Sequence, residues 1–179
     1  MAVGQRLRGS PPSPLAHDAR GTLVIFEDKI TVNAPAAKVW DFLLDPNCIA
    51  ACMPGVENVT QVDDRTFDAA IAASVGPISG RFNFRAHIVE SNPPTEMAAE
   101  IDGRDSVTKS PLTAQVAMTL TPLAAAQTAL AYRATVEVKG RLAILGDMVL
   151  RATAALMMEE ATRRLRAQLE APGGTGAAM

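Results

Sequence analysis

Residues 31–55, TVNAPAAKVWDFLLDPNCIAACMPG, decide the fold. A strand ends at Asn33, a residue able to cap the helix that follows, and Pro35 suits a first helical turn, where a missing N–H costs little. Val39, Trp40, Leu43 and Leu44 recur at the spacing of one helical face, which predicts a helix over 36–44. Asp45-Pro46 closes it, because the residue before a proline is driven out of the helical region. A second short helix, over 46–53, stops at Pro54-Gly55. Helices this short cannot bury their apolar faces against one another alone, so they must cover a sheet.

The flanking sequence supplies that sheet. Upstream, Val24, Phe26, Ile30 and Val32 share one phase of a strand over 23–33, and Glu27, Lys29 and Thr31 the other. Asp28 interrupts the apolar phase and is expected at an edge or bulge, where its carboxylate reaches water. Downstream, Val56, Val59 and Val62 suggest a strand of irregular alternation. Phe67, Ala69, Ile71, Ala73 and Val75 then alternate with Asp68, Ala70, Ala72 and Ser74. Gly76-Pro77 and Gly80 bracket a hairpin, after which Phe82, Phe84, Ala86 and Ile88 alternate with Arg81, Asn83, Arg85 and His87, the clearest period of two in the chain. Asn92-Pro93-Pro94 turns into Met97, Ala99 and Ile101, and the polar residues 102–111 read as a loop. Ala114, Val116, Met118 and Leu120 end at Pro122; Leu130, Tyr132, Ala134, Val136 and Val138 complete the series. Consecutive strands with short turns make an antiparallel meander.

From about Arg141 to Glu170 the period becomes helical. Leu142, Leu145, Val149, Ala152 and Leu156 form one stripe, and Met148, Ala155, Thr162, Leu165 and Leu169 a neighbouring one. About 30 residues at about 1.5 Å each give roughly 45 Å, enough to cross a sheet. The expected fold is therefore α+β: a seven-stranded curved antiparallel sheet, with two short helices and a long C-terminal helix on one face.

Of 179 residues, 48% are hydrophobic and 20% charged, the balance of a globular protein. One domain over 23–170 is expected, after a disordered leader over 1–22 that holds Pro11, Pro12 and Pro14 and lacks the apolar core of a secretory signal. Residues 171–179, APGGTGAAM, read as a flexible tail. No apolar run reaches the roughly 18 residues of a membrane-spanning helix. A net charge of −2, from 17 Lys and Arg dispersed among 19 Asp and Glu, argues against nucleic acid as a partner. Cys48 and Cys52 stand four residues apart on one helical face, where a mutual disulfide is awkward, and free thiols suggest a cytoplasmic setting.

Acid–base or nucleophilic catalysis needs polar groups that converge in a pocket. Here His17 lies in the leader, His87 falls on the outward phase, and the inward phases carry no charged residue except Asp28. Cys48 and Cys52 have no further residues to complete a four-ligand metal set, and core packing beside Met53 explains them as well. VGPISG, between strands, lacks the spacing of a phosphate-cradling loop. Arg163, Arg164 and Arg166 suit either an anionic surface or a solvated helix end whose dipole they complement. No catalytic residue, metal or cofactor is expected. Alanine at 69, 73, 86, 99, 114 and 134 leaves volume above the sheet that one helix does not fill. Methionines among the core-phase and helix positions either pack that core or adapt to a guest. The expected site is a hydrophobic cavity lined by Trp40, Phe42, Met53, Phe67, Ile71, Phe82, Phe84, Met97, Met118, Tyr132, Ala134, Leu145, Met148 and Ala152.

APAAKVWDFLLDPNCIAACMPGVENV, VGPISGRFNF, MTLTP and GRLAILGDMVL together resemble the carbon monoxide dehydrogenase G-subunit family of the START-like (SRPBCC) superfamily, over about residues 24–170. The Pro-x-x-x-Val-Trp-x-Phe-Leu helix marks the superfamily; the Cys-Met-Pro-Gly turn and the Val-Gly-Pro-x-x-Gly-x-Phe hairpin are more specific to this branch. The resemblance implies a helix-grip fold with a deep apolar cavity. It also implies an accessory role beside a carbon monoxide dehydrogenase-type molybdenum hydroxylase, in maturation, membrane recruitment or electron transfer, with a lipid or isoprenoid quinone as ligand. It carries over no catalytic residues. The sequence departs from the family's pattern at GRDSVTKSPLT, where many relatives have a glycine-rich segment, and it lacks the long C-terminal extension that some relatives use for membrane attachment. Three readings stand: a noncatalytic carrier of an apolar molecule, an adaptor whose cavity is incidental, and an enzyme akin to polyketide cyclases or hydrolases, with Asp28 or Tyr132 as its polar group. A short edge strand would also allow a dimer.

Overall fold

The computed structural model describes residues 21–75 and 78–171. The leader and tail expected at the two ends lie outside the described residues, apart from Gly21, Thr22 and Ala171. The strands are β1 (Thr22–Val32), β2 (Val56–Asp63), β3 (Thr66–Val75), β4 (Ile78–Asn92), β5 (Glu96–Asp105), β6 (Pro111–Ala124) and β7 (Gln127–Val138). They form one seven-stranded sheet in the order β1-β7-β6-β5-β4-β3-β2. Every neighbouring pair is antiparallel, so β2 to β7 is a meander and β1 returns beside β7.

The register aligns inward residues in rows across the sheet. One row runs Ile88, Ala99, Val116, Ala134, Phe26; the next runs Met97, Met118, Tyr132, Asp28. Because side chains alternate faces, one correct phase assignment orients a whole strand. β5 is longer than the sequence suggests, and the loop is only 106–110. Asp102 and Arg104 are polar because they occupy the outer phase of a strand. Gly103, between them, lies under the Phe84 ring, which a Cβ there would strike.

Helix α1 (Ala36–Leu44) falls where its periodicity predicts, and α2 (Pro46–Cys52) follows at once. The Asp45 carboxylate caps α2 by accepting from the Asn47 N–H at 2.9 Å. Asn33 does not cap α1; Pro35 occupies the cap position without a side-chain bond. Instead the Asn33 N–H donates to Glu170 at 2.9 Å, and its side-chain oxygen accepts from Gln127 at 3.2 Å. With Lys38 donating to the Leu169 carbonyl at 3.3 Å, these contacts pin the end of the last helix to the start of α1.

The C-terminal helix is not continuous from Arg141. A 3-10 segment, Gly140–Leu145, ends at Gly146, and α3 proper is Asp147–Glu170, 24 residues. Gly146 has φ +83 and ψ 164, a region open in practice only to glycine, and it re-aims the chain. The break also resets the helical phase. The buried residues of α3 are Ala161, Leu165 and Leu169, the last two on one of the two expected stripes, whereas Leu156, on the other, is 68% exposed.

The buried side chains fall into two clusters rather than one. The first joins α1, α2 and the end of α3 to the sheet through Val32, Val39, Trp40, Leu120, Leu130, Leu165 and Leu169. The second, Phe82, Val138 and Leu142, sits at the opposite end, with Leu145 and Leu150 packed on it.

Candidate functional site

Between the two clusters lies a band of inward side chains that packs against neither. Phe26 on the edge strand β1 and Ala99, Val116, Ala134 and Tyr132 further into the sheet are each half-buried. Four are small or flat, and the short side chains of Ala99 and Ala134 leave them unable to reach across. On α3, Leu150 packs on one cluster and Leu165 belongs to the other; Thr153, Ala154, Met157 and Met158 between them are also half-buried. These half-buried apolar residues thus form a band between two buried plugs.

The expected lining residues divide into groups. Phe42, Phe67 and Met118 pack on the first plug and Phe84 and Leu145 on the second, while Tyr132 and Ala134 are half-buried in the band between them. Met53 and Ile71 are half-buried. Trp40, Phe82 and Met97 are buried within the plugs. Met148 and Ala152 stand on the solvent side of α3. Met148 is 83% exposed and Ala152 is exposed, because α3 starts afresh at Asp147 and turns that stripe to solvent. Phe26, Ala99, Val116 and the pair Met157 and Met158 are absent from the expected set. The strand members were legible by period, sharing a phase with residues that were chosen; Met157 and Met158 were hidden by the helix phase.

Polar chemistry in the band is sparse. Tyr132 faces inward, and burial, with the negative charge of Asp28 beside it, pushes its hydroxyl above the usual tyrosine range. Asp28 pairs with Tyr132 in register but is exposed at the sheet edge, where its carboxylate accepts from the Lys29 N–H. Cys52 is buried, and its thiol is pushed up to about 11 by burial and then by neighbouring Cys48. Burial, with Asp45 nearby, also raises Cys48. Both shifts favour the thiol over the thiolate, the less nucleophilic form. Among the described residues no three His, Cys, Asp or Glu side chains gather as metal ligands would.

Elsewhere several exposed charges are paired. On the outer face a shallow depression of about 650 Å³ contains Arg81, Arg85, Asp68 and Asn83. Arg81 pairs with Glu57 at 3.0 Å and Arg85 with Asp68 at 2.7 Å. Arg163 and Arg164 both bond Glu160, whose carboxyl their hydrogen bonds hold down to about 2. Those two arginines are therefore ion-paired on their own helix. His87, on the outer face as expected, shares a hydrogen bond with Thr66 at 2.9 Å. Among the described residues no helix is long and apolar enough to cross a membrane.

The family model for the carbon monoxide dehydrogenase G-subunit (CoxG) matches residues 29–170. No curated protein matches the chain in sequence. Among solved structures, a conserved protein from Geobacillus kaustophilus is similar with a TM-score of 0.75 at 19% identity, covering 82% of this chain and 95% of that one. The ZhuI aromatase/cyclase of Streptomyces sp. R1128 gives 0.64 at 15% identity, covering 83% and 94%. A START superfamily protein from Mycobacterium smegmatis gives 0.59 at 14% identity, covering 82% and 97%. At these identities the likeness is one of fold, and it is the START-like fold.

Proposed function

This chain belongs to the carbon monoxide dehydrogenase G-subunit (CoxG) family, and from that premise we propose that it is a noncatalytic carrier whose hollow takes up an apolar molecule, a lipid or isoprenoid quinone. In this reading it serves a carbon monoxide dehydrogenase-type molybdenum hydroxylase as an accessory protein. One observation carries the proposal: the inward residues of a sheet that should be one core split into two plugs with a half-exposed apolar band between them. A guest burying about 400 Å² at about 25 cal/mol/Å² gains roughly 10 kcal/mol, against association costs of about 4–15 kcal/mol. Binding is then weak for a short ligand and useful for a long one.

The test is solvent extraction and native mass spectrometry of the purified protein, with titration of long-chain quinones and lipids. An apolar guest is expected, with affinity falling at least about tenfold in Ala134→Leu as that side chain takes the guest's volume. No guest and no binding on titration would overturn the proposal.

A second reading, an adaptor docking on the hydroxylase, has its own support. Ile144 and Met148 are each 83% exposed and Leu156 is 68% exposed, on the 3-10 segment and the solvent side of α3. Capture of the hydroxylase that survives Ala134→Leu but is lost in Met148→Glu favours that reading.

A further inference from the structure

A sheet that does not close on itself leaves an edge strand at each side, and here these are β2 and β1. Edges expose backbone N–H and C=O groups that invite a further strand, so folds ordinarily blunt them with bulges, charges or a covering element. β2 is blunted: its register against β3 shifts twice, and α2 packs on it. β1 is straight, with no shift against β7 from Thr22 to Val32. Its second half is closed by carboxylates, since the Lys29 N–H donates to Asp28 at 2.8 Å and the Asn33 N–H to Glu170 at 2.9 Å. Main-chain groups of alternate residues point to the same side of a strand, so those of Leu23, Ile25 and Glu27 face the same edge. Among the described residues no strand pairs with them there. The stretch is also apolar where it meets water: Leu23 is 55% and Ile25 37% exposed, both in the outer phase.

We infer that residues 21–27 are the contact of a two-fold dimer, in which a second copy of the chain adds its own β1 antiparallel and the two sheets become one. The occupant follows from self-complementarity. With the axis at Val24, Leu23 opposes the partner's Ile25 and Ile25 opposes the partner's Leu23, which joins the exposed apolar side chains on one face. Glu27 then opposes the partner's Gly21. A Cβ on Gly21 would meet the Lys139 stem at 3.6 Å and the Glu137 carboxylate at 3.3 Å, so the bare glycine leaves an incoming carboxylate room to reach Lys139. Lys139, 3.5 Å from Glu137, is placed to bridge both acids. Arg133, 4.0 Å from Glu27 within one copy, flanks the same carboxylate. An axis one residue further on, at Ile25, would set Leu23 against Glu27 and lose both matches. The inference goes beyond the carrier reading and does not depend on it.

Sedimentation velocity of the full chain from about 1 to about 500 μM covers the range of an interface this small. Wild type is expected to dimerise reversibly. Leu23→Lys and Glu27→Lys should each weaken the dimer by about tenfold or more, because each change acts at both symmetry-related contacts. Glu27→Lys combined with Lys139→Glu should return it to within about threefold of wild type, the opposite charges having exchanged places. Within one copy Glu27 pairs with Arg133 and stands far along β7 from Lys139, so only a contact between copies yields that rescue. A wild type that stays monomeric throughout, a dimer that both single variants leave intact, or a double variant no tighter than Glu27→Lys overturns the inference. Leu23, Glu27 and Lys139 are exposed, and a folding defect cannot produce the regained association.

Discussion

Asp105 carries the largest residue-scale consequence of the structure. It is 1% exposed, at the end of β5, and one carboxylate oxygen accepts from both the N–H and the hydroxyl of Thr108, at 2.6 and 2.7 Å. Thr108 in turn shares a bond with Ser110, whose hydroxyl accepts from the Leu142 N–H at 3.3 Å. The chain of bonds fastens the β5–β6 loop to the 3-10 segment that leads into α3. Asp105→Ala strands the Thr108 donors in the interior and should cost about 1–3 kcal/mol in urea denaturation. Burial raises the Asp105 carboxyl, but the Thr108 bonds and the nearby backbone amides of Val107 and Arg81 outweigh it, leaving the group below its ordinary 3.8. A folded-state value below the unfolded one means that the group's stabilisation is full above the unfolded value and lost as pH falls through the folded one. As pH falls through the ordinary carboxylate range and below it, the wild type should therefore lose stability more steeply than Asp105→Asn. Equal acid slopes would show that the carboxylate contributes nothing to the fold. The sequence placed this residue in a polar loop, because composition cannot distinguish a solvated aspartate from one buried under its own turn.

Among the elements, the strands and the last helix were legible, but the start of that helix and its buried phase were not. β3 and α1 sit where alternation and the 3.6-residue period put them, because each has one buried face and no competing phase. α3 has apolar residues almost all round its first half, so two stripes fitted equally well, and the deciding feature was the backbone turn at Gly146. Its burial is concentrated where α1 and α2 meet it, through Ala161, Leu165 and Leu169. Leu165→Ala should accordingly cost about 2–5 kcal/mol. Leu156→Ala, on the other of the two expected stripes, should stay within about 0.5 kcal/mol. Chemical denaturation of the two variants side by side checks the phase, and a comparable loss in both would place the buried stripe elsewhere.

For the whole molecule, the question is whether the middle of the interior is empty or merely loosely packed, and sequence alone does not answer it. Alternation tells which face of a strand is inward; it does not tell which rows of that face the helix presses on. That depends on where α3 begins and how Asn33, Lys38, Leu169 and Glu170 pin its end. Hence the expected site included plug residues such as Trp40 and Met97 and omitted Ala99 and Val116, which share the middle row with Ala134. Ala99→Leu discriminates between the alternatives by sign. In a filled core the added methylenes force neighbours off their rotamers and cost about 1–3 kcal/mol. In a hollow they remove apolar surface from water at about 0.8 kcal/mol per methylene, up to roughly 2 kcal/mol in favour of the fold. The expected outcome is an unchanged or raised melting temperature for the protein free of guest, together with weakened uptake of any apolar guest. A melting temperature lowered by several degrees would mean that the two plugs meet and that no space is left between them to hold a ligand.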